Sequence, residues 1–242
     1  MDSKITDLYQ NYRNGELDRR SFLKKLALLT GSTAAAVSLL PLLEENTAWA
    51  STPSRYETEL VTEFITYPAD TGEMKAYLAR PKTEKKLPAV IVIHENRGLQ
   101  PHIQDVTRRM AMEGFLAIGP DALSPLGGTP AENEDKARTM MGELNSESTV
   151  KNFVAAVNYL KTSPLTTGKV GCTGFCWGGG MTNDVAVNSP DLKAGVPYYG
   201  RQPKATDVPK IKAAMMMHYA GDDERINSGI PAFEEALKEA GI

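Results

Sequence analysis

Lys169-Val170-Gly171-Cys172-Thr173-Gly174-Phe175-Cys176-Trp177-Gly178-Gly179 is the stretch whose reading decides the fold. Lys169 to Thr173 reads as a strand, and the G-x-C-x-G-G run behind it reads as a sharp turn into a helix. Closely spaced glycines let the backbone turn so tightly that the middle side chain is lifted out of the sheet. That side chain is Cys176, so the run points to acyl transfer through a thiol. The bland alternative is a packing cysteine, which would leave the surrounding glycines with little purpose. Cys172, four residues earlier, is expected to be a buried strand residue. A Cys172–Cys176 disulfide is not expected, because a strand residue and an elbow residue are poorly placed for its geometry.

Outward from this run, strand-like and helix-like segments alternate. Upstream, Leu60 to Tyr67 and Met74 to Ala79 read as two strands around the turn Pro68-Ala69-Asp70-Thr71-Gly72. Ala89-Val90-Ile91-Val92-Ile93 is a continuous apolar run that suits a strand buried on both faces. A helix over Ile103 to Glu113, a strand over Phe115 to Ile118, and helices over Glu132 to Leu144 and Thr149 to Leu160 follow. Beyond the elbow come a helix over Gly180 to Val187, strands over Ala194 to Tyr199 and Ala213 to Tyr219, and a helix over Pro231 to Ala240. The alternation predicts an α/β protein whose mostly parallel sheet is covered by helices on both faces, with the functional site at the strands' carboxyl ends.

Composition narrows the function. A formal charge of -3 argues against a nucleic-acid binder, which would carry a basic patch. His94, His102, His218 and the two cysteines form no zinc-binding spacing, and no metal or organic cofactor is implied. Met215-Met216-Met217 reads as strand core rather than as metal ligands.

Residues 1–50 differ from the rest. Asp18-Arg19-Arg20-Ser21-Phe22-Leu23-Lys24-Lys25 precedes an apolar stretch from Leu26 to Leu43, and Ala48-Trp49-Ala50 supplies the small residues of an A-x-A cleavage site. Paired arginines followed by Phe-Leu-Lys resemble a twin-arginine export signal, with Asp18 where Ser or Thr is more usual. The expectation is a 1–50 signal that engages the twin-arginine export machinery, and a periplasmic 51–242 domain with no stable membrane association after cleavage. A retained anchor is the alternative, weakened by Pro41 and Glu44-Glu45. A signal that does not function would leave the chain in the cytoplasm.

Three strand ends complete the reading. The buried strand ends in His94-Glu95-Asn96-Arg97-Gly98, the elbow holds Cys176, and the Ala213 strand ends in Gly221-Asp222-Asp223-Glu224-Arg225-Ile226. In this order they resemble the dienelactone hydrolase family of α/β-hydrolases, from about Leu60 to Gly241. The resemblance implies an α/β-hydrolase fold that hydrolyses small esters or lactones without a cofactor. It matches Cys176 to the nucleophile, and Asp223 to the triad acid with Asp222 as the one-residue alternative. It matches Glu95 to a glutamate that contacts the resting thiol. The oxyanion hole would use the backbone N–H groups of Trp177 and Asn96. Arg201 could hold a substrate carboxylate or form a surface ion pair.

The resemblance also implies a triad histidine a few tens of residues beyond the acid, after a further helix and strand. No histidine follows Asp223, and the sequence ends at Ile242 straight after a helix. The family's last strand and helix are therefore expected to be missing from this chain. His94 differs in position from the family base, His218 is expected to be packed or hydrogen-bonded at the end of a buried strand, and His102 to be solvated at a helix start. The alternative to a working hydrolase is a truncated, inactive remnant or a small-molecule binding module.

Overall fold

The computed structural model describes residues 3–13, 17, 19–32, 35, 36, 39, 59–131 and 133–242. It divides into two compact units, Met1–Pro53 and Ser54–Ile242. In the first, α1 (Ser3–Arg13) and α2 (Arg19–Thr30) pack together. Phe22 and Leu26 are fully buried with Leu8 and Tyr9, and the Phe22 ring stacks on Tyr12 at 4.5 Å. Arg19 and Arg20 open α2. Asp18, Pro41, Glu44-Glu45 and Ala48-Trp49-Ala50 lie outside the described residues. Among those described, no helix is long and apolar enough to cross a membrane.

The second unit is built on a seven-stranded sheet of order β1-β2-β4-β3-β5-β6-β7. The strands are β1 (Leu60–Ala69), β2 (Gly72–Pro81), β3 (Leu87–Ile93), β4 (Leu116–Pro120), β5 (Thr166–Phe175), β6 (Leu192–Tyr198) and β7 (Ala214–Met215). β1 and β2 form an antiparallel hairpin across a turn tighter than expected, with Pro68 inside β1. Pro68 is tolerated because β1 lies at the sheet edge, where a missing N–H breaks no ladder. β2 joins β4 antiparallel, and β4, β3, β5, β6 and β7 run parallel.

Helices α3 (Pro101–Met112), α4 (Glu134–Met141), α5 (Ser146–Thr162), α6 (Trp177–Asn188), α7 (Glu224–Asn227) and α8 (Ile230–Glu239) complete the unit. The continuous run of β3 serves both faces. Ala89, Ile91 and Ile93 pack with Phe153 and Val157 of α5 and Val185 of α6, while Val90 and Val92 pack with Ile103 and Ala111 of α3. Each of these side chains is buried, so both layers depend on the central strand.

Two helix boundaries shift for a local reason. Asn133 accepts the Lys136 N–H and Asn145 accepts the Ser148 N–H, so α4 starts after the first cap and α5 after the second. The strand expected over Ala213 to Tyr219 is a larger correction. It reduces to Ala214–Met215 plus an isolated bridge between Tyr198 and His218. Among the described residues no strand lies outside β7, so half its ladder is unmade and the segment pairs only intermittently. Met216 is consequently 62% exposed rather than core.

Candidate active site

β5 delivers Cys176 directly to the start of α6. Cys176 adopts φ 55° and ψ -112°, one of two described non-glycine residues with positive φ. Its N–H donates to Tyr198 O at 3.0 Å, which ties the turn to the end of β6. The glycines are required by close approach. A Cβ on Gly174 would overlap the Gly178 carbonyl, and one on Gly178 would lie 2.5 Å from the carbonyl oxygens of Ile93 and His94. The helix start is thus pressed onto the end of β3, beside the loop that carries Glu95 and Asn96.

That loop is braced from the other side. Buried Asp121, after β4, accepts bonds from Leu123 N–H (3.0 Å), Thr129 N–H (2.7 Å) and Thr129 Oγ1 (2.7 Å). Thr129 Oγ1 accepts the Leu99 N–H at 2.8 Å, which fastens the two loops together. Arg97 pairs with Glu134 and not with Glu95.

Cys176, Trp177, Asn96, Tyr199, Arg201 and Arg225 line one cavity of about 290 Å³. The Trp177 N–H is the first of α6, a position with no intrahelical acceptor, and the Asn96 N–H makes no hydrogen bond among the described residues. Arg201 forms an ion pair with Asp184, one of the two expectations held for it, and lines the cavity. Burial pushes the Asp184 carboxyl up, against the pull of that guanidinium. Tyr199 is held above the usual phenol range first by burial, then by the negative charges of Glu95 and Cys176.

Asp223 is not brought to the cavity wall. It caps α7 and accepts the Ile226 N–H at 3.2 Å, while its neighbours Arg225 and Ile226 line the cavity. Asp222 is exposed. Cys172 is buried and free, and burial pushes its thiol up to about 12.

None of the three histidines lines the cavity. His94 is fully buried and both ring nitrogens are occupied. Its Nε2 accepts the Ala122 N–H at 3.1 Å, so Nδ1 carries the proton and donates to Glu95 O at 2.6 Å. The ring stacks on Trp177, and burial lowers its pKa below the ordinary value. It is a neutral structural clamp. His218 is exposed and stacks flat on Tyr198 at 4.5 Å, which corrects the expectation of a packed residue at the end of a buried strand. His102 is exposed on α3, as expected.

Tyr199 and Arg225 are lining residues that the sequence does not single out. The signal available for Tyr199 is the Tyr-Gly pair at a strand end, where Gly200 touches the Gly179 backbone.

A mostly parallel sheet with a strained residue between strand and helix, opening onto a cavity at the strands' carboxyl ends, defines an α/β-hydrolase. The chain belongs to the dienelactone hydrolase family, whose model matches residues 74–242. Its relatives carry provisional names. A carboxymethylenebutenolidase of Escherichia coli (strain K12) is 32% identical over 197 residues, spanning 75% of this chain and 72% of that one. The hydrolase fragment YghX of the same organism is 45% identical over 113 residues, which is 46% of this chain and 96% of that protein. Among solved structures, a dienelactone hydrolase from Klebsiella pneumoniae superposes with a TM-score of 0.64 at 27% identity, covering 75% of this chain and 82% of that one.

Proposed function

We propose that the site hydrolyses carboxylic esters or lactones through Cys176. The observation that carries this reading is the strained, positive-φ backbone of Cys176 at the N-cap of α6, on the wall of the cavity. The thiolate is the reactive form, a free cysteine ionises near pH ~8.5, and a helix N-terminus favours the anion. The sulfur attacks the ester carbonyl, and the oxyanion that forms is held by the N–H groups of Trp177 and Asn96. The C–O bond then breaks, the alkoxide or phenolate leaves, and a thioester remains on Cys176. Losing either donor would cost on the order of 3 kcal/mol in the transition state. Arg201 is the candidate contact for a substrate carboxylate.

Release of the acyl group needs water to lose a proton to a base. Asp223 is the family-matched acid that would orient a histidine. No described histidine reaches the cavity, and this favours a second reading in which the 242 residues do not turn over. With p-nitrophenyl acetate, whose phenolate leaves without a proton, the expected result is a burst of about one equivalent followed by weak or no turnover. Cys176→Ala, folded, gives no burst. Sustained turnover that disappears in Cys176→Ala would contradict the second reading, and a burst surviving Cys176→Ala would contradict the first.

For localisation, we propose export through the twin-arginine route, supported by Arg19-Arg20 and the apolar stretch behind them. The double variant Arg19→Lys, Arg20→Lys is expected to stay in the cytoplasm on cell fractionation. Finding it in the periplasm would sink the proposal.

A further inference from the structure

The peptide that joins Glu95 to Asn96 carries two groups of interest. Its N–H is a candidate oxyanion donor, and its carbonyl is the Glu95 oxygen that His94 Nδ1 meets at 2.6 Å. A trans peptide is planar, so its C=O and N–H point in opposite directions, and whatever fixes the carbonyl also fixes the N–H. His94 is well placed to do so. The Ala122 N–H donates to Nε2 at 3.1 Å, which leaves the proton of the neutral ring on Nδ1, aimed at Glu95 O. Ala122 is itself held in a turn whose Asp121 carboxylate accepts the Leu123 and Thr129 N–H groups. The imidazole is fully buried, so water does not compete for either bond. One face of the ring lies nearly parallel to Trp177, with centroids 5.4 Å apart, and Gly178 is packed against the His94 carbonyl too closely for a side chain. One residue thus touches both elements expected to supply oxyanion donors, the loop after β3 and the first turn of α6.

We propose that His94 is a positioning residue for the oxyanion hole: by holding the Glu95 carbonyl it turns the Asn96 N–H toward the cavity, and by backing the Trp177 ring it steadies the residue that supplies the second donor. This rests on the reading of Cys176 as nucleophile. Asn96, Trp177 and Cys176 line the same cavity, while His94 does not, so His94 acts on the reaction without touching substrate. It neither gains nor loses a proton, because both ring nitrogens stay bonded. A donor aimed before charge develops needs no reorganisation when the sulfur attacks.

Two substitutions separate the two ring nitrogens. Asn places its amide nitrogen near the position of Nδ1 and can still donate to Glu95 O, whereas Gln reaches the position of Nε2 and keeps only the bond from Ala122. On the full chain, the burst rate with p-nitrophenyl acetate is compared with the rate of Cys176 alkylation by iodoacetamide, in which the thiolate displaces iodide at a saturated carbon and no oxyanion forms. His94→Gln is expected to slow the burst about tenfold or more, a smaller loss than outright removal of a donor causes, with alkylation nearly unchanged. His94→Asn is expected to recover most of the burst rate. A merely structural role would slow both reactions together or make the two variants alike. The proposal is overturned if His94→Gln keeps the parent burst rate, if alkylation slows as much as the burst, or if His94→Asn is as slow as His94→Gln. The unsubstituted chain gives a check that needs no variant to fold: nitrogen NMR shifts of the His94 ring are expected to place its proton on Nδ1, and a proton on Nε2 overturns the proposal. An unsubstituted chain that is alkylated at Cys176 yet gives no burst, or a burst that survives Cys176→Ala, fails the nucleophile reading itself and the proposal with it.

Discussion

Cys176 occupies a backbone region that costs a non-glycine residue about 1–3 kcal/mol, and the strand and helix on either side enforce it. The glycines around it are there for contact. Gly178→Ala would drive a methyl group into the carbonyls of Ile93 and His94, and is expected to lower stability by about 1–3 kcal/mol in urea unfolding. A variant as stable as the parent would show that the elbow is less tightly packed than described. The cavity-lining residues legible in the sequence were those fixed by a short local pattern: Cys176 with its glycines, and Asn96 at a strand end. Tyr199 was not legible, because its conformation depends on contacts at Cys176, Gly179 and His218, far from it in the chain. The environment of His94 was hidden for the same reason, since Ala122 and Trp177 both reach it through space.

The loops after β3 and β4 act as one element. Asp121 ties them through Thr129, and His94 ties the end of β3 to Ala122. His94 is held neutral in the fold with its pKa lowered, whereas in the unfolded chain it takes up a proton below about pH 6.5. Below that pH the unfolded state binds more protons than the folded state, so stability is full above it and declines as pH falls. The expected slope is up to about 1.4 kcal/mol per pH unit. Urea midpoints from pH 7.5 to 5 should show that decline, and His94→Gln, less stable at pH 7.5, should flatten it. A slope unchanged by the substitution would assign the pH dependence to other groups. Strands and helices in this region were readable from apolar alternation, but the Asn133 and Asn145 caps set boundaries that apolar periodicity does not mark.

At the scale of the whole molecule, the sheet is well covered around β3 and thin at β7. The apolar pattern of Ala213 to Tyr219 suggested a full strand, and no pattern in a strand's own residues reveals whether a neighbour will pair with it. Exposed edges of this kind template association between copies. Met216→Lys places a charge on the exposed side of that segment and is expected to reduce concentration-dependent light scattering without changing the urea midpoint. Equal scattering would remove the β7 edge as a cause of association. The parallel order and the elbow at its centre were legible because both follow from strand–helix alternation, and they carry the central claim that Cys176 is the acyl acceptor. The most direct measurement is the peptide mass map after brief exposure to p-nitrophenyl acetate and an acid quench. One acetyl group is expected on the peptide containing Cys176, absent in Cys176→Ala. An unmodified Cys176, with the burst retained or the acetyl group on another residue, would contradict it.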